Sequence, residues 1–180
     1  MYAPLVRSWS TPNGNPVVMH YRADSSDWNT ISSILDHDEY GIKGRRIDGL
    51  ALDIGAHLGA MSIALAVDNP NLHVIAVEPV PDNVRLIREN AAANGVTGRI
   101  TIVESAAGRS GEAITVRYAF EGDETATHHA FIGNSTLGTP DKPHQTRELR
   151  AVGITDLVGD AEVAWTKIDC EGGEWAFLDD

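Results

Sequence analysis

Four short, mostly apolar runs recur along the chain, each followed by a polar or glycine-rich stretch. They occupy residues 50–54, 73–77, 100–103 and 163–168. A short continuous apolar run is typical of a strand that is buried on both faces of a parallel sheet. Residues 60–66 are mostly small and apolar, and Val84, Ile87 and Ala91 are spaced like the buried side of a helix. This alternation of strands and helices predicts an α/β fold with a mostly parallel sheet.

The pattern changes after residue 111. Four apolar residues then alternate with polar ones, namely Ile114, Val116, Tyr118 and Phe120. Strict alternation predicts a half-exposed antiparallel strand. Residues 121–146 are rich in Gly, Thr, His and Pro and are predicted to be a long loop with one short strand at 130–132, after which residues 147–152 return as a strand. We therefore expect a β-hairpin insertion between the third and fourth core strands.

Residues 1–49 precede the first core strand and are predicted to form an annex to the sheet. Residues 16–21 form a strand by their pattern, and Ser26 is placed to cap a helix. The apolar positions of that helix are Trp28, Ile31 and Leu35. Residues 36–48 are polar and are expected to be a loop that packs the edge of the domain, with a lid-like cover over a ligand as the alternative. The expected division is therefore an annex at 1–49 and one main domain at 50–180.

Composition narrows the classes of partner. The net charge is −12, from 26 acids against 14 bases, which argues against wrapping the phosphate backbone of a nucleic acid. No apolar run approaches the roughly 20 residues of a membrane helix, and the start of the chain lacks the pattern of a secretory signal. The single cysteine, Cys170, excludes an internal disulfide and fits a reducing cytoplasm. We expect a cytoplasmic protein with a small-molecule partner, no nucleic acid and no membrane.

The strongest candidate for a ligand-binding motif follows the first core strand. It has the pattern Asp-x-Gly-x-x-x-Gly, with Asp53, Gly55 and Gly59. Glycines let backbone and ligand come close, and the first turn of the next helix offers free N–H groups. A dinucleotide site would carry three glycines as G-x-G-x-x-G, with a pyrophosphate where the carboxylate of Asp53 stands. The pattern therefore favours a ligand with a cation or an amine, and it is similar to the first motif of class I S-adenosylmethionine-dependent methyltransferases.

Three successive strands end in an acid. These acids are Asp53, Glu78 and Glu104. Ligands of open α/β sheets bind beyond the carboxyl ends of the strands, so the three side chains are expected at one site. Glu78 lies 19 residues after Gly59, where a carboxylate can accept hydrogen bonds from two ribose hydroxyls. The fourth strand also ends in an acid, Asp169.

Four motifs, in this order, resemble those of the FkbM family of methyltransferases. They are Asp53-Ile-Gly-Ala-His-Leu-Gly59, Glu78-Pro-Val-Pro81, Glu104-Ser-Ala-Ala107 and Lys167-Ile-Asp-Cys-Glu-Gly-Gly-Glu174. The resemblance runs from about residue 50 to the end. It implies a Rossmann-like class I sheet, S-adenosylmethionine as methyl donor, and usually an oxygen acceptor on a sugar or natural product. The family sheet has seven strands, so we expect the last strands to be missing and the cofactor-binding domain at 50–180 to be incomplete at its C-terminus.

The resemblance also implies roles for individual residues. The residues that would line the methionine end of the cofactor are Asp53, Gly55, Ala56, His57 and Gly59. The ribose would contact Glu78 and Pro79, and the adenine would lie beside Glu104, Ser105 and Ala106. The transferred methyl group would lie near Asp169 and Glu171. Two positions depart from the family pattern, which commonly has Asn in place of His57 and an aliphatic residue in place of Cys170. His57 would either touch the cofactor or point into solvent.

The sequence leaves the catalytic group and some alternatives open. Transfer to an alcohol also needs a base, for which Asp169 and Glu171 are the candidate carboxylates. The candidate imidazoles are His57, His128, His129 and His144. No metal site is predicted, because adjacent histidines in an extended loop point to opposite sides. The alternative functions are an NAD(P)-binding oxidoreductase and a catalytically inactive cofactor-binding fragment.

Overall fold

The computed structural model describes residues 4–23, 25–119, 131–132, 144–170 and 172–180. The strands are β1 (Leu5–Ser10), β2 (Pro16–Tyr21), β3 (Gly49–Ile54), β4 (Leu72–Val77), β5 (Ile100–Val103), β6 (Ala113–Ala119), β7 (Phe131–Ile132), β8 (His144–Arg150) and β9 (Val163–Ile168). The helices are α1 (Asp27–Leu35), α2 (Ala60–Asp68), α3 (Pro81–Ala93), α4 (Ile154–Val158) and α5 (Glu174–Leu178). Within the described part, no helix has both the length and the apolar character needed to cross a membrane.

The central sheet has the strand order β5-β4-β3-β9, and every pair in it is parallel. The predicted α/β class and parallel sheet are confirmed. Its central strand, β3, is buried from residue 51 to its end, which explains the continuous apolar run in the sequence. In register, Asp53 of β3 stands opposite Ala76 on one side and Lys167 on the other. The carboxyl ends of the core strands therefore share one edge.

Helix α2 is buried on nearly all sides, because the sheet covers one face and α1 the other. Its small side chains allow this close approach. Helix α1 begins at Asp27 and turns Ile31, Ile34 and Leu35 inward, but Trp28 is 37% exposed. Trp28 holds the first of the predicted apolar positions of this helix, and its ring packs near the surface in an aromatic cluster. Ser26 occupies the N-cap position, but its side chain makes no capping hydrogen bond.

The annex is a β1–β2 hairpin followed by α1, and β1 was not predicted. Asparagine amides of α3 and its C-terminal end attach the second strand to the domain. The amide of Asn94 accepts from Val18 N at 2.8 Å and donates to Val18 O at 2.7 Å. Asn90 does the same with the backbone of His20, at 2.6 and 3.2 Å. Two side chains one helical turn apart thus take the place of a neighbouring strand, because they provide hydrogen-bond partners for the backbone N–H and C=O groups of β2.

A second sheet, antiparallel with the order β7-β6-β8, lies between β5 and β9 in the chain. It confirms the predicted insertion. Strand β8 spans His144–Arg150, so it begins earlier and ends earlier than the predicted 147–152. Much of the predicted loop at 121–146 lies outside the described residues. Helix α5 was not predicted.

Candidate cofactor site

Two positions of the turn between β3 and α2 require glycine, because of their backbone conformation and because other atoms lie close to them. Gly55 has φ +78°, and a Cβ there would lie 1.9 Å from the main-chain oxygen of Asp169. Gly59 has φ +86°, and its Cβ would lie 3.2 Å from the side chain of Ile87. Both values of φ are ones that L side chains rarely adopt. The turn can therefore fit closely between the end of β9 and helix α3, and it carries the buried Ala56 with it.

The Asp53 carboxylate is fully buried at the end of β3. Its Oδ2 accepts a hydrogen bond from Ser62 of α2 at 2.6 Å. Its Oδ1 lies 3.3 Å from the ammonium Nζ of Lys167. Because it has no exposed surface, Asp53 contributes to the edge of the sheet by holding its neighbours in place.

Lys167 joins the ends of β3 and β9. Its side chain is only 5% exposed, and its Nζ donates to Gly55 O at 2.7 Å. The same ammonium lies 4.0 Å from Asp169 Oδ2 and 5.6 Å from the centre of the Tyr40 ring. One buried cation thereby compensates two carboxylates and fixes the glycine turn.

Asp169 is the exposed member of this group, with 54% of its side chain in contact with solvent. The hydroxyl of Tyr40, from the loop before β3, donates to Asp169 Oδ2 at 2.8 Å. Burial, followed by the hydrogen bond to Asp169, raises the pKa of Tyr40 well above its usual value. Tyr40 therefore stays protonated at neutral pH and serves as a donor. Both described contacts of the Asp169 side chain fall on Oδ2.

Glu78 is buried at the end of β4 and accepts several N–H groups. His57 N donates to Oε2 at 2.8 Å, while Val80 N and Asn83 Nδ2 donate to Oε1 at 2.9 and 3.1 Å. Burial raises the pKa of Glu78 to about 7, although these hydrogen bonds oppose the rise. A carboxylate has about four acceptor positions, so it can also receive a hydroxyl.

His57 adopts a left-handed backbone conformation, with φ 52°. Asn and His are among the residues that tolerate this region, which explains how His stands where the family commonly has Asn. The side chain is buried, with Nε2 3.5 Å from Oδ1 of Asp27 at the start of α1. Of the two alternatives for His57, a side chain pointing into solvent is therefore wrong.

Behind the turn, Arg22 pairs with Asp27 through two nitrogens, at 2.7 and 2.9 Å, and donates to Asn83 Oδ1 at 2.7 Å. Burial alone would raise the pKa of Asp27, but hydrogen bonds and charge from Arg22, together with the proximity of His57, hold it below its usual value. A buried polar chain thus runs from the annex through Asn83 to Glu78.

Glu104 lies after β5 in a partly exposed ion pair with Arg147 of β8. Arg147 Nη1 donates to Glu104 Oε1 at 2.8 Å and to Pro79 O at 3.3 Å. Ser105 Oγ donates to Arg150 O at 2.7 Å, and Ala106 is fully buried. The insertion sheet therefore packs directly on the segment expected to flank the adenine.

The remaining candidates are less informative. Glu171, His128 and His129 lie outside the described residues, and of His144 only the backbone is described. Burial, with Glu174 nearby, raises the pKa of Cys170 to about 12, so its thiol stays protonated at neutral pH. Among the residues described here, no group of three or more His, Cys, Asp and Glu side chains comes together to hold a metal ion.

The carboxylates at this edge of the sheet suit a positively charged cofactor. The shared edge presents the exposed carboxylate of Asp169, the partly exposed Glu104 and the buried acceptor Glu78.

Three further residues were not assigned a role from the sequence. These are Tyr40, Arg22 and Arg147. Only the position of Lys167 inside a motif hinted at its part, because a lysine two residues before a strand-end acid points to the same face as that acid.

The chain matches the family model described as Methyltransferase FkbM domain over residues 53–180. A release factor glutamine methyltransferase from Bacillus cereus is 46% identical over 43 residues, which are 24% of this chain and 15% of that protein. A putative transferase from Pyrococcus horikoshii is 23% identical, with a TM-score of 0.41 over 56% of this chain and 36% of the other. A methyltransferase from Thiobacillus denitrificans in complex with S-adenosylhomocysteine is 20% identical, with a TM-score of 0.31 over 33% and 24%.

These individual likenesses are partial, and the chain spans less than two fifths of each of the three proteins. The family model, in contrast, covers all four motifs and the whole central sheet beyond Asp53. The chain therefore belongs to the FkbM family of methyltransferases, whose cofactor is S-adenosylmethionine.

Proposed function

We propose that the chain transfers a methyl group from S-adenosylmethionine to a hydroxyl oxygen of a sugar or small natural product. The observation that carries this proposal is the gathering of strand-end acids around one glycine turn, within a segment that matches the family model. We place the reaction in the cytoplasm, because a lone cysteine fits a reducing compartment.

In this proposal the glycine turn and the strand-end acids bind the cofactor. The main chain of Gly55, Ala56, His57 and Gly59 receives the methionine end. Glu78 accepts a ribose hydroxyl beside the three N–H groups that it already receives, with Pro79 next to it, and Glu104, Ser105 and Ala106 flank the adenine. Asp53 acts indirectly, because its buried carboxylate holds Lys167 and Ser62. When bound, the cofactor would supply an electrophilic methyl group. The acceptor oxygen would attack that methyl carbon in line with the C–S bond, so that the C–O bond forms as the C–S bond breaks and S-adenosylhomocysteine leaves.

Asp169 is the proposed base. It is the exposed carboxylate at the end of β9, and Tyr40 and Lys167 hold its Oδ2. A carboxylate held on one oxygen can take the acceptor's hydroxyl proton on the other as the new bond forms. Glu171, two residues later, remains a second proposed base. Tyr40 is a donor in this arrangement, since its raised pKa keeps the proton on its hydroxyl.

The test is transfer of labelled methyl from S-adenosylmethionine to a panel of monosaccharides, glycosides and hydroxylated natural products. We expect a methyl ether product from at least one of them. Asp169→Asn should lower turnover by about a hundredfold or more while changing S-adenosylhomocysteine affinity little. The matched control is Asp160→Asn. It alters an exposed acid that lies away from the carboxyl ends of the strands, and it should leave turnover unchanged. Methylation of nitrogen or carbon acceptors alone would contradict the proposal.

A further inference from the structure

Arg147 connects the ends of two core strands although it belongs to the insertion sheet. Its Nη1 contacts the Pro79 carbonyl after β4 and the Glu104 carboxylate after β5. By the proposed function, the nucleobase of the cofactor lies beside these two segments. A residue that spans them is placed to shape that end of the site.

The backbone around Arg147 is fixed by its own contacts. Beyond the end of β8, Val152 N donates to Ala106 O at 2.9 Å, and Ala107 forms a parallel bridge with Val152. Ser105 Oγ reaches Arg150 O. Strand β8 is therefore anchored on the same segment that carries Glu104, so the guanidinium approaches the carboxylate from a defined direction.

The two oxygens of Glu104 have different surroundings. Oε1 accepts a hydrogen bond from Arg147 at 2.8 Å, whereas Oε2 lies 3.8 Å from Nη2 of Arg88, whose side chain is 60% exposed. A carboxylate accepts hydrogen bonds and donates none, so Oε2 can take an N–H from a ligand. The 6-amino group of adenine is such a donor, and a 6-oxo group in its place is not.

We propose that Arg147 is a positioning residue that determines nucleobase specificity: by holding Glu104 through Oε1 it directs Oε2 toward an amino group. The inference rests on the proposed function, because it takes the ligand to be an adenosyl compound. If Arg147 served only to join the two sheets, its partly exposed ion pair would stabilise the fold slightly and contribute nothing to ligand choice.

The experiment is calorimetric titration of the full chain with S-adenosylhomocysteine and with S-inosylhomocysteine, which carries oxygen in place of the 6-amino group. We expect the unaltered chain to prefer the first by about tenfold or more, the value of one hydrogen bond to a charged group. Arg147→Met should reduce that ratio toward one. Arg150→Met is the matched control: it removes an arginine three residues away whose side chain donates to Gly111 O, and it should keep the ratio.

A double-mutant cycle separates positioning from folding. In a Glu104→Gln background, Arg147→Met should change the ratio little further, because the charged partner is already gone. Arg147→Lys keeps the charge and should retain part of the preference. An unchanged ratio in Arg147→Met, even with weaker binding of both compounds, would overturn this inference alone. Failure of the unaltered chain to bind S-adenosylhomocysteine would overturn the proposed function and this inference together.

Discussion

Lys167→Met is the substitution with the largest predicted effect on the site. It removes a buried ammonium that lies 3.3 Å from Asp53 Oδ1 and 2.7 Å from Gly55 O. The Asp53 carboxylate, which has no exposed surface, would then keep only the Ser62 hydroxyl as a described partner. Leaving one member of a buried ion pair without the other costs about 3–5 kcal/mol.

This loss is large compared with the roughly 5–15 kcal/mol that stabilises a typical domain. We therefore predict that the free energy of unfolding, measured by urea denaturation with circular dichroism, falls by about 3–5 kcal/mol in Lys167→Met. Lys43→Met changes an exposed lysine and should stay within about 0.5 kcal/mol of the unaltered chain.

The double variant Asp53→Asn/Lys167→Met tests the electrostatic reasoning. It removes both charges while the new amide oxygen at position 53 can still accept from Ser62, so it should recover about 2 kcal/mol relative to Lys167→Met. A Lys167→Met variant that loses less than about 1 kcal/mol would refute the ion-pair argument. A double variant no more stable than the single one would refute it equally.

Three further predictions concern the pH response, the annex and the cysteine. The pKa of Glu78 is raised to about 7 in the fold, so its contribution to stability is present at low pH and is lost as the pH rises toward 7. The free energy of unfolding should therefore fall across this pH range when it is compared with that of Glu78→Gln. A rise in the free energy of unfolding would contradict the prediction. Asn94→Ala leaves both backbone groups of Val18 without the amide and should cost about 2 kcal/mol in the same denaturation assay, whereas the exposed Asn71→Ala should cost almost nothing. With a pKa of about 12, the partly buried Cys170 should react with iodoacetamide at about pH 7.5 far more slowly in the native chain than in urea, and equal rates would contradict the raised pKa.

The central sheet could be predicted because burial on both faces requires a continuous apolar run. Strands β3 and β4 carry that signal in nearly every residue. Strand β1 and helix α5 were missed for a physical reason: much of their surface is exposed, including Val6 and Trp175. Their sequences therefore carry little of the burial pattern on which such predictions depend.

The position of the site was also predictable, because parallel strands bring their carboxyl ends to one edge. The partners of the acids were not. Tyr40 meets Asp169 across 129 residues of chain, and Arg147 meets Glu104 across 43. Such contacts arise only when separate elements pack together.

The role of Asp53 illustrates the same limit. From the sequence alone, its charge is expected to select against a pyrophosphate. In the fold that charge is buried and compensated by Lys167, so the acid acts through its neighbours. The argument against a dinucleotide then depends on the missing third glycine and on the family match.

The most direct test of the central claim is calorimetric titration of the chain with S-adenosylhomocysteine, with NADH titrated in parallel. We predict saturable binding of S-adenosylhomocysteine, no binding of NADH, and loss of binding in Glu78→Ala but not in the exposed control Glu162→Ala. Binding of NADH instead, or S-adenosylhomocysteine affinity that is the same in Glu78→Ala as in the unaltered chain, would contradict a cofactor site at the carboxyl ends of these strands.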